Sequence, residues 1–255
     1  MCLINFAYKS HDQYDLILAA NRDEFFIRPT AKADYWKEVP GLIAGKDLEQ
    51  GGTWLGVTTE GRFAALTNYR EVREKKDEKS RGELVLNFLK SDLSTGDYLN
   101  MIRDRRNDYL GFNLLCGTVD DLFYYSNRQN TIDKIEPGIH SVSNAFLNTS
   151  WPKVERGKTL VEQTLRNEKE DIIGELLDGL TNDEKAEEQL LPETGVGIEL
   201  EKQLSPMFIN MEIYGTRCST VITISKSKQV TFCERTYAQG QKTYEDQVFQ
   251  FRIGK

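Results

Sequence analysis

The stretches CLINFAY (residues 2–8) and LILAANRDEF (residues 16–25) decide how this chain folds. The second opens on the unbroken apolar run Leu16-Ile17-Leu18-Ala19-Ala20, the pattern of a strand covered on both faces. Polar residues from Lys9 to Tyr14 form a turn between predicted strands at residues 2–8 and 15–21, an antiparallel hairpin. With Tyr8 opposite Asp15, Cys2 faces Asn21 and lies next to Arg22 and Asp23, at cross-strand Cβ separations of about 4.5–5.5 Å. A slip of one residue exchanges Asn21 and Arg22 as the neighbour of the thiol, and the pattern allows both.

Outward from this hairpin, Trp54 to Thr59 and Arg62 to Asn68 predict a second one around the two-residue loop Glu60-Gly61. The period then changes. Ser80-Arg81-Gly82-Glu83 reads as a capping box ahead of Leu84, Val85, Phe88 and Leu89, and Thr95 to Arg106 as a helix with Leu99, Met101 and Ile102 inward. Strand-like runs follow at 112–116, 122–126, 131–135 and 140–144. Ser150-Trp151-Pro152 opens another helix, with proline in the first turn where its missing N–H is not needed. Ile172, Ile173, Leu176, Leu177 and Leu180 repeat at helical spacing, and strands return at 218–224, 229–235 and 248–253. The charged run Arg70 to Lys79 is expected to be a solvated loop, and the acidic stretch Asp183 to Glu201 a frayed helix and mobile loop. Strands in hairpins alternating with helices predict an α+β fold, a four-layer αββα sandwich of two antiparallel sheets, in a single domain over residues 1–255.

The composition narrows the function. The 255 residues carry a net charge of -7, unsuited to a phosphate backbone as principal partner, and no apolar stretch approaches the ~20 residues of a membrane span. No basic segment followed by an apolar one marks a signal peptide, so a cytoplasmic protein without nucleic-acid or membrane partners is expected. The four cysteines are scattered and only His11 and His140 are present, which leaves little for a metal site; no metal or cofactor is expected. A tight turn at Lys226-Ser227 sets Cys218 opposite Arg235 rather than Cys233, against a disulfide.

If Met1 is removed, Cys2 carries a free α-amine of ordinary pKa ~7.7–8.0 beside a thiol of ~8.5, so one residue supplies nucleophile and base. Arg22 would favour the thiolate and the neutral amine, and Asp23 could hold the amine or orient Arg22. With Met1 attached the nitrogen is an amide and the site is inert. Acyl transfer also needs oxyanion donors; Asn68 and Asn144, each at a strand end, can project amides. Arg217, beside the start of a strand, is a further candidate. The plain alternatives are a small buried thiol at Cys2, turn chemistry at the asparagines and a surface ion pair at Arg217.

Met1-Cys2, Ala20-Asn21-Arg22-Asp23-Glu24, Arg28-Pro29, Gly51 to Val57, Gly61 to Asn68, Ser143-Asn144-Ala145, Trp151 to Val154 and Tyr214 to Val221 together resemble the NRDE protein family, also called the transport-and-Golgi-organisation-2 family. The match runs from residue 1 to about residue 225. The resemblance implies the N-terminal nucleophile hydrolase fold and a distant relation to bile-salt hydrolases and penicillin V acylases. It also implies Cys2 as nucleophile, an Arg and Asp of the 21–24 stretch tuning it, Asn68 and Asn144 at the oxyanion, and Arg217 completing the cluster. Two functions are therefore expected. The first is an amidohydrolase cleaving a non-peptide C–N bond of a small molecule. The alternative is a non-catalytic carrier of a hydrophobic ligand such as haem, suggested by the family's links to secretory-pathway organisation and haem movement and by Phe25, Phe26, Trp36 and Trp54. Homo-oligomers are left open.

Overall fold

Strands β1 (Cys2–Tyr8) and β2 (Tyr14–Phe25) pair antiparallel in the computed structural model, which describes residues 2–72, 78–166, 171–238 and 243–254. The register is the slipped one: Tyr8 stands opposite Leu16 and Cys2 opposite Arg22. The turn causes the slip. Lys9 takes a left-handed φ of 46° and its N–H bonds to the Asp15 carbonyl at 2.8 Å, which draws Asp15 into the turn.

The next seven strands, β3 (Thr30–Tyr35), β4 (Leu42–Asp47), β5 (Leu55–Thr58), β6 (Phe63–Asn68), β7 (Phe112–Gly117), β8 (Leu122–Ser126) and β9 (Ile132–Lys134), form one antiparallel sheet in chain order. The last four, β10 (Gly138–Val142), β11 (Tyr214–Ser225), β12 (Gln229–Tyr237) and β13 (Tyr244–Arg252), join the first hairpin in a six-stranded sheet ordered β10-β1-β2-β11-β12-β13. Alternation sorts the side chains. Ile4, Phe6, Leu16, Leu18 and Ile222 meet Leu55, Val57, Phe63 and Leu115 of the other sheet, while Ala7, Ile17, Ala19 and Val221 face the opposite way.

Helices α1 (Gly82–Lys90) and α2 (Thr95–Asp104) bury Leu84, Val85, Phe88, Tyr98, Leu99 and Ile102 on the outer face of the seven-stranded sheet. Helices α3 (Pro152–Arg166) and α4 (Ile172–Gly179) cover the six-stranded one through Val161, Leu176 and Leu177. Helix, sheet, sheet, helix is the layering expected. A short helix α5 (Ile198–Gln203) lies in the acidic stretch, and among the described residues no helix is long and apolar enough to cross a membrane.

Several local expectations are corrected. Ser80 does not cap α1: Arg81 is its N-cap residue without a side-chain bond, and the Glu83 carboxylate instead accepts the Tyr109 hydroxyl at 2.7 Å. Met101 is exposed and Tyr98 takes the inward place. The second hairpin closes over residues 59–61, with Val57 opposite Phe63 and Gly61 at φ 89°. Lys228 at φ 65° shifts the β11–β12 turn, pairing Cys218 with Thr236 and Cys233 with Val221; all four cysteines are free. Residues 73–77 of the predicted solvated loop lie outside the described residues, but its first residue, Arg70, is buried in an ion pair with Glu201. The same pair pins the end of the acidic stretch.

α3 approaches β1 closely at Gly157, where a Cβ would stand 1.9 Å from Asn5 Oδ1. Asn5 cannot retreat without loss, because Oδ1 accepts the Ser141 hydroxyl and Nδ2 donates to the Ala19 carbonyl. Gly157→Ala is therefore expected to destabilise by about 1–3 kcal/mol through overpacking, despite alanine's better helix propensity. A lower urea midpoint at unchanged m-value checks it.

Candidate active site

Cys2 shares the parity of Ile4 and Phe6, so its sulfur emerges between the sheets, at the end where β1 begins. There it lines a cleft of roughly 170 Å³ together with Arg22, Asp23, Trp54, Asn68 and Arg81. Arg22 is buried and is held from three directions. Its guanidinium stacks over the Trp54 ring at 4.2 Å, donates through Nη1 to Thr30 Oγ1 at 3.2 Å, and lies 3.9 Å from Glu24 Oε2. Arg28 extends the charged wall, paired with Asp47 at 2.7 Å and lying 3.9 Å from the same Glu24 oxygen.

The strand period splits Asn21-Arg22-Asp23-Glu24 between two faces. Asn21 points to the helix layer, where Nδ2 donates to the carbonyls of Leu180 (3.0 Å) and Met207 (2.8 Å) and Oδ1 accepts the Ser219 hydroxyl at 2.5 Å. Asp23 is buried; its Oδ1 accepts the Thr216 hydroxyl at 2.8 Å and its carbonyl accepts the Tyr214 hydroxyl at 3.0 Å. Burial raises the Asp23 carboxyl above its ordinary range, opposed by Lys153, the Thr216 hydroxyl and Arg22.

The Cys2 thiol departs from expectation. Burial pushes it up and the Asp23 carboxylate adds to this, outweighing Arg22 and the Asp23 N–H. A half-buried sulfur raised in this way is held as the thiol at neutral pH, so a base must take its proton.

Asn68 ends β6 and lines the cleft. Asn144, just beyond β10, is buried one layer behind it: Nδ2 donates to the Asn68 carbonyl at 2.9 Å and Oδ1 accepts Lys153 Nζ at 3.1 Å. The adjacent Ser143 hydroxyl donates to the Cys2 carbonyl at 3.0 Å, and its own carbonyl is gripped by Thr67 and Asn113 of the other sheet. Cys2, Arg22, Asp23, Asn68 and Asn144 are thus brought together.

Arg217 is not brought into the cleft. Thr216 pairs with Asp23 and Cys218 with Arg22, so Arg217 is the extra residue of a β-bulge, a feature that re-aims a side chain. Its Nη1 donates to the carbonyls of Phe25, Phe26 and Arg28 (3.0, 3.3 and 3.0 Å), fastening the turn after β2. Of the four aromatics expected near the site, only Trp54 lines the cleft; Trp36 is buried against the α1–α2 layer. His11 and His140 line no part of it.

Three basic residues escaped the sequence reading. Arg81 lines the cleft, Arg70 stacks on Trp151 at 4.8 Å, and Lys153 is 2 % exposed. Lys153 left a signal: it lies at i and i+4 spacing with Gly157 and Val161 on the buried face of α3.

The family model described as Transport and Golgi organisation 2 matches residues 1–239. The Transport and Golgi organization 2 homolog of Mus musculus is 37% identical over 260 residues, covering 92% of this chain and 93% of that protein. The Homo sapiens homolog is likewise 37% identical over 92% and 93%, and the Drosophila melanogaster protein 27% over 98% and 99%. Among solved structures, the chain is similar to a C2A mutant of conjugated bile acid hydrolase from Clostridium perfringens, at TM-score 0.49 and 8% identity over 98% of this chain and 96% of that one. It is also similar to a Caenorhabditis elegans ortholog of N-acylethanolamine-hydrolyzing acid amidase, at TM-score 0.46 and 9% identity over 87% and 92%.

Proposed function

This chain belongs to the transport and Golgi organisation 2 family, and from that premise we propose that it is an N-terminal nucleophile amidohydrolase acting on a non-peptide amide of a small molecule. The observation that carries the reading is the position of Cys2, opposite Arg22 and at the mouth of a cleft that Asn68 also lines.

In the chain freed of Met1, the Cys2 α-amine takes the thiol proton as Sγ attacks the substrate carbonyl carbon. Arg22 and its Trp54 stack favour the anion on sulfur and lower the proton affinity of the amine, which the Asp23 carboxylate holds in place. The oxyanion takes a hydrogen bond from the Asn68 amide, and Asn144 fixes the backbone of Asn68. Collapse expels the amine, which receives the proton from the α-ammonium, leaving a thioester on Cys2. Water, deprotonated by the same α-amine, then hydrolyses the thioester to a carboxylic acid and the free thiol. The cytoplasm, where thiols stay reduced, is the compartment that suits the free cysteines.

A charged lining of arginines and carboxylates suits a polar amide better than haem or another hydrophobic ligand, so the carrier reading has less support. A panel of linear acyl-amides tests the proposal. Turnover is expected only from protein whose intact mass lacks Met1; equal turnover with Met1 retained would overturn the role of the α-amine.

A further inference from the structure

Lys153 has no part in the reaction as written, yet it is almost wholly buried beside the nucleophile. Pro152 opens α3, which puts the ammonium of Lys153 in the first turn, at the positive end of the helix dipole. Both the dipole and desolvation oppose a cation there. A methionine would fill the same space with neither penalty. The charge must therefore be met by its surroundings, and these belong to the candidate active site.

The contacts run in series. Lys153 Nζ donates to Asn144 Oδ1 at 3.1 Å, and Asn144 Nδ2 donates to the Asn68 carbonyl at 2.9 Å. An ammonium has donors only, so it selects which way the Asn144 amide lies, oxygen toward lysine and nitrogen toward Asn68. Four charged or titratable groups face Lys153: Asp23 from β2, Cys2 from β1, Arg70 from the segment after β6 and Glu201 from α5. Arg70 is paired with Glu201 yet remains the strongest charge opposing the ammonium, while Asp23, then Cys2 and Glu201, favour it. Asp23 is its foremost counter-charge, and the Cys2 sulfur becomes one only when the thiol ionises.

We propose that Lys153 is a positioning residue of the Cys2 site, whose ammonium orients Asn144 toward Asn68 and whose positive charge, buried behind that pair, favours the Cys2 thiolate over the thiol. The assignment rests on reading Cys2 as the nucleophile, while its effect on the sulfur is measurable without any substrate. Burial, with Arg70 next, pulls Lys153 down to about 7, against the upward pull of Asp23, Cys2 and Glu201. Below that pH the ammonium is present and favours the thiolate. As pH rises through it the support is withdrawn while falling acidity promotes the thiolate, and the two trends oppose each other.

The test is the rate of Cys2 alkylation by iodoacetamide in the purified full-length chain, read by peptide mass from about pH 5.5 to about pH 9.5. Cys116, Cys218 and Cys233 are buried, which confines fast labelling to Cys2. In the natural sequence the rate is expected to climb by clearly less than tenfold per pH unit across neutrality. In Lys153→Met the profile should be steeper than in the natural chain, displaced to higher pH, and at neutrality run about tenfold slower, the effect of removing one nearby opposite charge. Lys153→Gln retains a donor for Asn144 without the charge and should share the steeper, displaced profile.

Folded Lys153→Met and Lys153→Gln proteins that reproduce the natural profile would overturn the proposal. Should neither variant fold, a full tenfold climb per unit in the natural chain would overturn it equally. Amide turnover measured in parallel separates the two readings. An altered alkylation profile with no turnover in any protein sinks the hydrolase and leaves Lys153 its role; turnover with an unaltered profile does the reverse.

Discussion

Cys2→Ala is expected to abolish amide turnover by the Met1-free chain, a loss on the order of 10⁴-fold or more, as when a nucleophile that works as a unit with its base is removed. The substitution leaves the α-amine, Arg22 and the Asn68 amide in place, so binding should survive and the loss should fall on kcat. Cys2→Ser keeps a nucleophile of much higher pKa and should retain a small remainder. The control is Cys116→Ala. Cys116 is fully buried between the seven-stranded sheet and its helices, where burial raises its thiol, and its loss should lower stability slightly without touching turnover. Full activity in Cys2→Ala on an authentic substrate would end the proposal.

The largest loss of stability is expected from Glu201→Ala. Glu201 and Arg70 form an ion pair with side chains only 2% and 5% exposed, and the other Glu201 oxygen accepts the Thr194 N–H at 3.1 Å. Removing the carboxylate leaves a guanidinium in a space that water does not reach, at a cost of about 3–5 kcal/mol. Replacing both partners with apolar residues of similar volume should restore most of it. Urea titration of the single and double variants measures this. A single variant within about 0.5 kcal/mol of the natural chain would show the pair to be solvated. The Arg70 backbone N–H also bonds to the Asn144 carbonyl at 2.7 Å, so Glu201→Ala should slow turnover as well.

The layered architecture was legible because it depends on periods that the chain repeats many times. Leu16 to Ala20 announced a strand buried on both faces, and Leu84, Val85, Phe88 and Leu89 announced a helix with one. Single-residue events were less legible. A left-handed Lys9 moved the first hairpin by one position, and only that movement decides that Arg22, not Asn21, stands opposite Cys2. The bulge at Arg217 is likewise a local choice of backbone, and it turned a predicted site residue into a clamp on three carbonyls. Strands β3 and β4 give little signal because their outer positions carry charges such as Lys32, Asp34 and Lys46, which mask a short alternation. Arg70 opens a charged run that reads as a solvated loop, and Glu201 ends an acidic stretch that reads as a frayed helix and mobile loop. Which member of such a run is buried depends on a partner more than a hundred positions away in the chain.

The division of Asn21-Arg22-Asp23-Glu24 between two faces of β2 bears on how lesions in this motif are to be understood. Arg22 and Glu24 look into the cleft, whereas Asn21 ties the sheet to the carbonyls of Leu180 and Met207. A defect at Asn21 is thus a failure of the frame, visible as low abundance in a cell, and one at Arg22 a failure of the tool it supports. Treating the tetrad as one unit would confuse the two.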